Sequence, residues 1–176
     1  MIMCSPVLLS DDAVADIKAY LRIETDDEAA LLSSLIAAAV TRAEQFCGQL
    51  LIRRAVTERM VARHDWQRLG VVPVAAIVGL ESALSSIPLA TPQFAIDLDG
   101  EGRGWVRVTD PSVVGLVVVQ YVAGLVGGWD TLPEALRHAV IRLTAYLYTS
   151  RDAAIDAGPP AAVAALLRPY RRVRLS

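Results

Sequence analysis

The chain has 176 residues, of which 54% are hydrophobic and 20% charged, with a formal net charge of -2. This length is sufficient for one domain with a substantial core. The mean hydropathy is +0.42, but the longest nearly unbroken apolar run, 113–126, is shorter than the ~20 residues that a membrane-spanning helix needs. We therefore expect no transmembrane helix, and the charge gives no indication of tight nucleic-acid binding.

Two amphipathic helices are predicted in the first 48 residues. The first follows Ser10, a candidate N-cap, and the second begins near Thr25, where a threonine three residues before Glu28 is typical of a capping box. Gly48 suits a left-handed end to the second helix. The apolar residues of the second helix recur with helical spacing at Leu32, Leu35, Ile36, Ala39, Val40, Ala43 and Phe46.

The sequence from 50 to 122 predicts a β-rich insert, because β-branched residues and short alternating runs replace the helical spacing. The strand candidates are 52–61, 74–80, 94–98, 105–108 and 116–121. The run 117–121 is typical of a central strand. Asp99 followed by Gly100 predicts a hairpin between the third and fourth candidates, with the glycine supplying a positive backbone angle.

Helical patterning returns near Thr131, which again stands three residues before a glutamate, Glu134, and it continues to Thr149. A short alanine-rich helix is predicted from Ala161 to Leu167. The sequence therefore predicts an α+β fold in which a core of about four helices carries the β-rich insert between the second and the third. We expect a single domain, 1–176, with helical parts 10–48 and 131–168, the β-rich insert 50–122 and a C-terminal arm 161–176.

Residues that could support catalysis are few. His64 and His138 stand in no metal-ligand spacing, and Cys4 and Cys47 have no nearby partner, so we expect free thiols and no metal site. The glycines of 100–104 are not followed by the lysine of a phosphate-binding loop. These patterns predict a protein that is not an enzyme and has no cofactor. A small-molecule-binding or enzymatic domain using the β insert, or a weak DNA-binding module, remains an alternative.

Charge is distributed unevenly along the chain. Acidic side chains are concentrated between residues 10 and 30, whereas residues 168–176 contain four arginines and no acid. One interpretation is a solvated acidic face and a frayed basic tail. The other is that the two ends bind different partners, or that the ends of neighbouring subunits attract each other.

Several motifs occur in an order that is similar to one known family. Lys18-Ala-Tyr-Leu-Arg-Ile is followed by Asp26-Asp-Glu-Ala-Ala-Leu-Leu32 and by the helix end Glu44-Gln-Phe-Cys-Gly48. Later stretches are Tyr121-Val-Ala-Gly124, Leu132-Pro-Glu-Ala-Leu-Arg-His-Ala-Val140 and Tyr146-Leu-Tyr148. Together they resemble the head-tail connector (adaptor) proteins of tailed phages. Glu24 and Phe46 depart from the family pattern, which has Asp and Tyr there.

The resemblance implies a virion structural protein, made in the bacterial cytoplasm, that lies in the neck of a phage or a phage-like particle such as a gene transfer agent. Its subunits would form a homo-oligomeric ring, usually a dodecamer, beneath the portal protein. The ring would extend the DNA channel, join the capsid to a downstream neck or tail protein, and let DNA pass without specific binding. No membrane partner is implied.

In that family the C-terminal segment binds the portal, so the resemblance implies that 161–176 is the portal-binding arm. The expected apolar anchors are Tyr170, Val173 and Leu175. Four arginines would supply charge-assisted hydrogen bonds beside these anchors. They are Arg168, Arg171, Arg172 and Arg174.

Overall fold

A computed structural model of the chain describes residues 1–150 and 158–172. Within these residues the fold is a mixed α+β fold of four α-helices and two antiparallel sheets, which confirms the predicted class. The chain divides into two compact units. The β unit comprises Met1–Pro6 and Arg53–Leu125, and the helical unit comprises Val7–Ile52 and Val126–Ser176.

The helical unit is built around two long helices that pack against each other. Its helices are α1 (Asp11–Leu21), α2 (Ala29–Cys47), α3 (Glu134–Thr149) and α4 (Ala161–Leu167). The predicted apolar face of α2 forms the core, except that Leu35 and Phe46 are only half-buried. The buried apolar residues of α2 and α3 are Leu32, Ile36, Ala39, Val40, Ala43, Cys47, Leu136, Ala139, Val140 and Leu143.

The capping box predicted at Thr25 and Glu28 does not form, and α2 begins at Ala29 without a side-chain cap. Tertiary contacts use the acidic side chains instead. Asp26 accepts a hydrogen bond from Lys18 Nζ at 2.8 Å, and Glu28 accepts one from the Tyr148 hydroxyl at 2.6 Å. The ammonium group of Lys18, through its hydrogen bond and then its charge, lowers the pKa of Asp26.

The second predicted capping box is also wrong. Thr131 lies in a single 3-10 turn, and its hydroxyl bonds both the carbonyl and the amide of Gly128 rather than an amide of α3. Pro133 occupies the position before the helix, which begins at Glu134. The indole of Trp129 in this turn is buried and donates to Asp16 at 2.8 Å, so the turn is fixed to α1.

The β unit has a four-stranded sheet with the order β1-β2-β7-β4 and a three-stranded sheet with the order β3-β6-β5. All neighbouring strands are antiparallel. The strands are β1 (Ile2–Cys4), β2 (Arg54–Val61), β3 (Gln67–Arg68), β4 (Val74–Ser82), β5 (Phe94–Leu98), β6 (Gly104–Val108) and β7 (Leu116–Ala123).

The prediction that 117–121 forms a central strand is confirmed, since β7 pairs with β2 on one side and β4 on the other. The hairpin between β5 and β6 also forms. Its left-handed residue is Gly102, at φ +73, rather than Gly100. The carboxylate of Asp99 closes this turn by accepting the amides of Glu101 and Arg103 at 2.9 and 2.8 Å.

A buried polar pair joins two strands of the larger sheet. Glu58 on β2 accepts a 2.8 Å hydrogen bond from the hydroxyl of Tyr121 on β7 and a 2.9 Å bond from the amide of Gly70. Both side chains are buried. Burial and the neighbouring carboxylate raise the pKa of Tyr121 above its usual value, so the phenol remains a donor.

In the part of the chain that the structure describes, no helix combines the length and the apolarity that crossing a bilayer requires.

Candidate partner-binding segment

The first half of the predicted C-terminal arm packs against the helical unit of its own subunit. Val163 and Leu167 on α4 are buried, and α4 contacts both α3 and α2. Pro160 precedes the helix, and its carbonyl accepts the amides of Val163 and Ala164 at 2.8 and 2.9 Å. Residues 161–167 therefore form a fixed base for the residues that follow.

The backbone after α4 is tied to the end of α2. Arg168–Tyr170 form a 3-10 turn, and Gln49 Nε2 donates to the Tyr170 carbonyl at 2.7 Å. The amide of Arg172 donates to the carbonyl of Cys47 at 2.8 Å. The bond from Arg172 satisfies a carbonyl that the end of α2 leaves without an intrahelical partner, and both bonds hold the segment.

The structure brings four of the predicted arm residues together beside the end of α2. Arg168 and Arg171 are exposed, whereas Tyr170 and Arg172 are half-buried. The guanidinium of Arg171 lies 5.5 Å from the centre of the Phe46 ring, a cation–π distance. The remaining predicted arm residues, Val173, Arg174 and Leu175, lie outside the described residues.

Sequence reasoning missed the residues that hold this segment. Cys47 is buried, and its thiol lies 3.8 Å from the Leu167 carbonyl, to which it donates. Burial, followed by the charge of Glu44, raises the pKa of Cys47 to about 11. At neutral pH this cysteine is therefore a neutral donor inside the helical unit rather than a reactive thiolate.

Gly48 is the part of this arrangement that the sequence did indicate. It ends α2 at φ +68, and a β-carbon there would lie 3.2 Å from the Arg172 carbonyl oxygen. We expect Gly48→Ala to lower the free energy of unfolding by about 1–2 kcal/mol, because only glycine adopts this conformation without strain. Urea unfolding measures the change.

Gly100→Ala is the matched control for this prediction. A β-carbon at Gly100 would meet no atom within 4 Å, so its effect should stay below about 0.5 kcal/mol, as for most surface substitutions. Equal stabilities of the two variants would contradict the role given to Gly48.

The acidic segment at 10–30 has a mixed role. Asp16, Asp26 and Glu28 make hydrogen bonds inside the helical unit, whereas Asp11 and Asp12 are exposed at the start of α1. Negative charge at the start of α1 is favourable because the N-terminus of a helix carries a partial positive charge. Helix stability therefore accounts for part of the unevenness in charge.

The described residues offer no arrangement for metal chemistry. Within 1–150 and 158–172, no three His, Cys, Asp or Glu side chains come together to hold a metal ion. His64 Nδ1 lies 3.0 Å from the Val108 carbonyl oxygen, and His138 lies edge-on to the ring of Tyr20. Both histidines thus have structural contacts with neighbours.

Known proteins resemble this chain in part of its sequence and in its fold. The model of the phage gp6-like head-tail connector protein family matches residues 11–74. No curated protein matches the sequence.

Solved structures resemble the whole chain. One is a chain from the neck of an empty gene transfer agent (GTA) particle, computed with C6 symmetry. Its sequence is 25% identical, the TM-score is 0.76, and the match covers 100% of this chain and 97% of that one. Another comes from the virion of a native GTA particle and is 27% identical, with a TM-score of 0.74. The match covers 100% of this chain and 97% of that one.

A third similar chain comes from the neck of a native GTA particle computed with C12 symmetry, with 27% identity and a TM-score of 0.68. The match covers 99% of this chain and 97% of that one. The matched family and the chains from GTA necks and virions are virion structural proteins and not enzymes. The resemblance to the head-tail connector family, predicted from the sequence, is confirmed.

Proposed function

We propose that this protein is the connector subunit of a particle neck, where copies of it form a ring beneath the portal and join the capsid to the tail. The observation that carries this proposal is the similarity of the whole chain to chains from GTA necks computed with C6 and C12 symmetry. Such symmetry supports a closed ring, and a dodecamer is the copy number that fits both. Both units would belong to one connector domain, 1–176, with residues 50–122 as a β-rich insert in its helical core.

The proposed ring extends the DNA channel and contacts the portal protein on one side and a downstream neck or tail protein on the other. DNA passes through it without specific binding. The net charge of -2 supports this part of the proposal, because retention on DNA needs clustered positive charge and falls steeply with salt. A DNA-binding module would instead retain duplex DNA with a steep salt dependence.

The portal contact is assigned to the C-terminal segment. Residues 161–172 are supported by their own subunit, so the binding surface would consist of the exposed arginines Arg168 and Arg171 together with Val173, Arg174 and Leu175. Tyr170 and Arg172, which are half-buried, would act at its edge. Arginines beside apolar anchors suit a protein partner with surface carboxylates, because their guanidinium groups form paired hydrogen bonds.

A short truncation tests this assignment without disturbing the fold. Removing 173–176 keeps the bonds from Gln49 to Tyr170 and from Arg172 to Cys47. We expect the truncated protein to fold with an unchanged Tm and to lose attachment to purified portal rings, measured by co-sedimentation. The double variant Arg168→Glu with Arg171→Glu should weaken attachment at least about tenfold.

Arg63→Glu is the matched control, since Arg63 is an exposed arginine of the β unit. It should attach to the portal like the unaltered protein. Normal attachment by the truncated protein would refute the assignment of the arm. A protein that neither assembles nor attaches under any condition would refute the connector function itself.

A further inference from the structure

Exposed apolar side chains gather at one end of the larger sheet of the β unit. Leu84 is 91% exposed, Val114 77% and Ile87 64%, and two neighbours at the strand ends are about half exposed. We call this set the apolar end, and it consists of Val61, Leu84, Ile87, Val114 and Leu116.

Strand pairing and loop hydrogen bonds place these residues together. Val61, the last residue of β2, pairs with Leu116, the first residue of β7. The carbonyl of Leu116 accepts the amide of Ala83 at 3.0 Å, which brings the loop after β4 to the same place. A 3.0 Å bond from the Ser82 amide to the Ile87 carbonyl closes that loop.

The loop before β7 is held in the same way. The amide of Ala62 donates to the carbonyl of Gly115 at 2.8 Å, so Val114 is fixed beside the end of β2. Because the backbone positions these side chains in advance, little conformational freedom remains to be lost when a partner covers them. Such a surface is organised for binding before the partner arrives.

The composition of the two loops is unusual for exposed connections. The stretch 83–90 contains no charged residue, and the loop before β7, 109–115, contains one, Asp110. Exposed loops of a monomer are ordinarily polar, and contiguous exposed apolar residues mark interaction sites. Interfaces between subunits that remain together are more apolar than transient ones.

We infer that the apolar end of each subunit binds a neighbouring copy of this chain in the ring. This inference rests on the proposed connector function. A subunit of a closed ring contacts copies of itself on two sides, through two different surfaces. A permanent contact with a copy thus accounts for an apolar and preorganised surface on every subunit, and the similar chains from C6 and C12 necks support a copy as the occupant.

The test replaces two residues of the apolar end with glutamate, Leu84→Glu and Val114→Glu, in the full-length protein. Both side chains are already exposed, so we expect the variant to fold with a Tm close to that of the unaltered protein. The concentration needed to assemble rings, alone or on portal rings, should rise at least about tenfold. Native mass spectrometry and negative-stain microscopy measure the assemblies.

Leu8→Glu is the matched control, because Leu8 is 87% exposed and lies in the helical unit. It should leave assembly unchanged. A mixing experiment adds a second readout. The double variant retains the other contact surface, so it should end growing assemblies of the unaltered protein and reduce closed rings when the two are mixed.

Each outcome separates the two proposals. If the unaltered protein forms no ring alone or on the portal, the connector function fails. If it forms rings and the double variant forms them equally well, this inference is overturned while the connector function stands. Normal rings that fail to bind the portal or the downstream protein would also overturn it, since the apolar end would then serve an axial contact. Should the glutamates prevent folding, Leu84→Ser with Val114→Ser replaces them.

Discussion

Ile36→Asp should leave the helical unit unfolded. Ile36 lies in α2 and is fully buried, within the pair formed by α2 and α3. The substitution removes the isoleucine side chain from the core and places a charge there without a partner. We expect a loss of about 5 kcal/mol or more, comparable with the whole stability of an ordinary domain. Far-UV circular dichroism and urea unfolding measure the result.

Two further variants make this prediction specific. Ala38→Asp introduces the same carboxylate at an exposed position of α2, and it should cost only about 0.7 kcal/mol through lower helix propensity. Ile36→Val keeps the site apolar and should cost about 0.5–1.5 kcal/mol. A stable, cooperatively folding Ile36→Asp protein would show that this face of α2 does not form the core.

Tyr121→Phe should destabilise the β unit by about 1–3 kcal/mol, the cost of leaving a buried polar group without a partner. The variant removes the hydroxyl that donates to Glu58 and leaves that carboxylate with the amide of Gly70. Tyr20→Phe is the matched control, because Tyr20 is about half exposed, and it should change stability by less than about 0.5 kcal/mol.

The same pair predicts an alkaline loss of stability. The pKa of Tyr121 is raised first by burial and then by its hydrogen bond to Glu58. The unfolded chain releases this proton near pH 10, whereas the folded chain keeps it. The free energy of unfolding should therefore fall above pH 10, by up to about 1.4 kcal/mol per pH unit for this one proton.

Comparing the unaltered protein with Tyr121→Phe isolates this contribution, because other groups, including Cys47, titrate in both. The difference in stability between the two proteins should be constant below pH 10 and should shrink as the pH rises. Urea unfolding at pH 8, 10 and 11 measures it. Parallel stability curves at all three values would mean that Tyr121 does not retain its proton in the folded state.

The strands of the β unit were largely predictable from the sequence, because their apolar and β-branched residues are patterned. The short strands β1 and β3 were not. The three residues of β1 are all apolar and all exposed, so they show no alternation of apolar and polar residues. They form a strand because they pair with the edge of β2 in the larger sheet. Pairing with a strand that is distant in sequence has no signature in the local sequence.

The helix starts show a different limit. Thr25 with Glu28 and Thr131 with Glu134 satisfy the local spacing of a capping box, yet neither box forms. Instead of forming a capping box, Glu28 accepts a hydrogen bond from Tyr148, and Thr131 makes hydrogen bonds with Gly128. The first of these joins residues 120 positions apart, and a local pattern carries no information about such a partner.

The candidate site was predictable in composition but not in position. The arginines and Tyr170 stand out in the sequence, and the resemblance to connector proteins assigned them to a portal-binding arm. Their attachment to the end of α2 depends on the bond from Arg172 to Cys47 and on the bond from Gln49 to Tyr170, across 121 positions. Gly48 was the one local feature of the sequence related to that attachment. It predicted the end of α2 but not that the C-terminal segment packs against this end.

The attachment of the C-terminal segment to α2 has a mechanical consequence. A pull on the C-terminal end of the segment reaches first the bond from Arg172 to Cys47 and then, two residues nearer to α4, the bond from Gln49 to Tyr170. Behind them, Leu167 is buried and resists the same pull. The segment is therefore held at successive points, and a load on it passes through the Cys47 carbonyl into α2, a helix about 28 Å long.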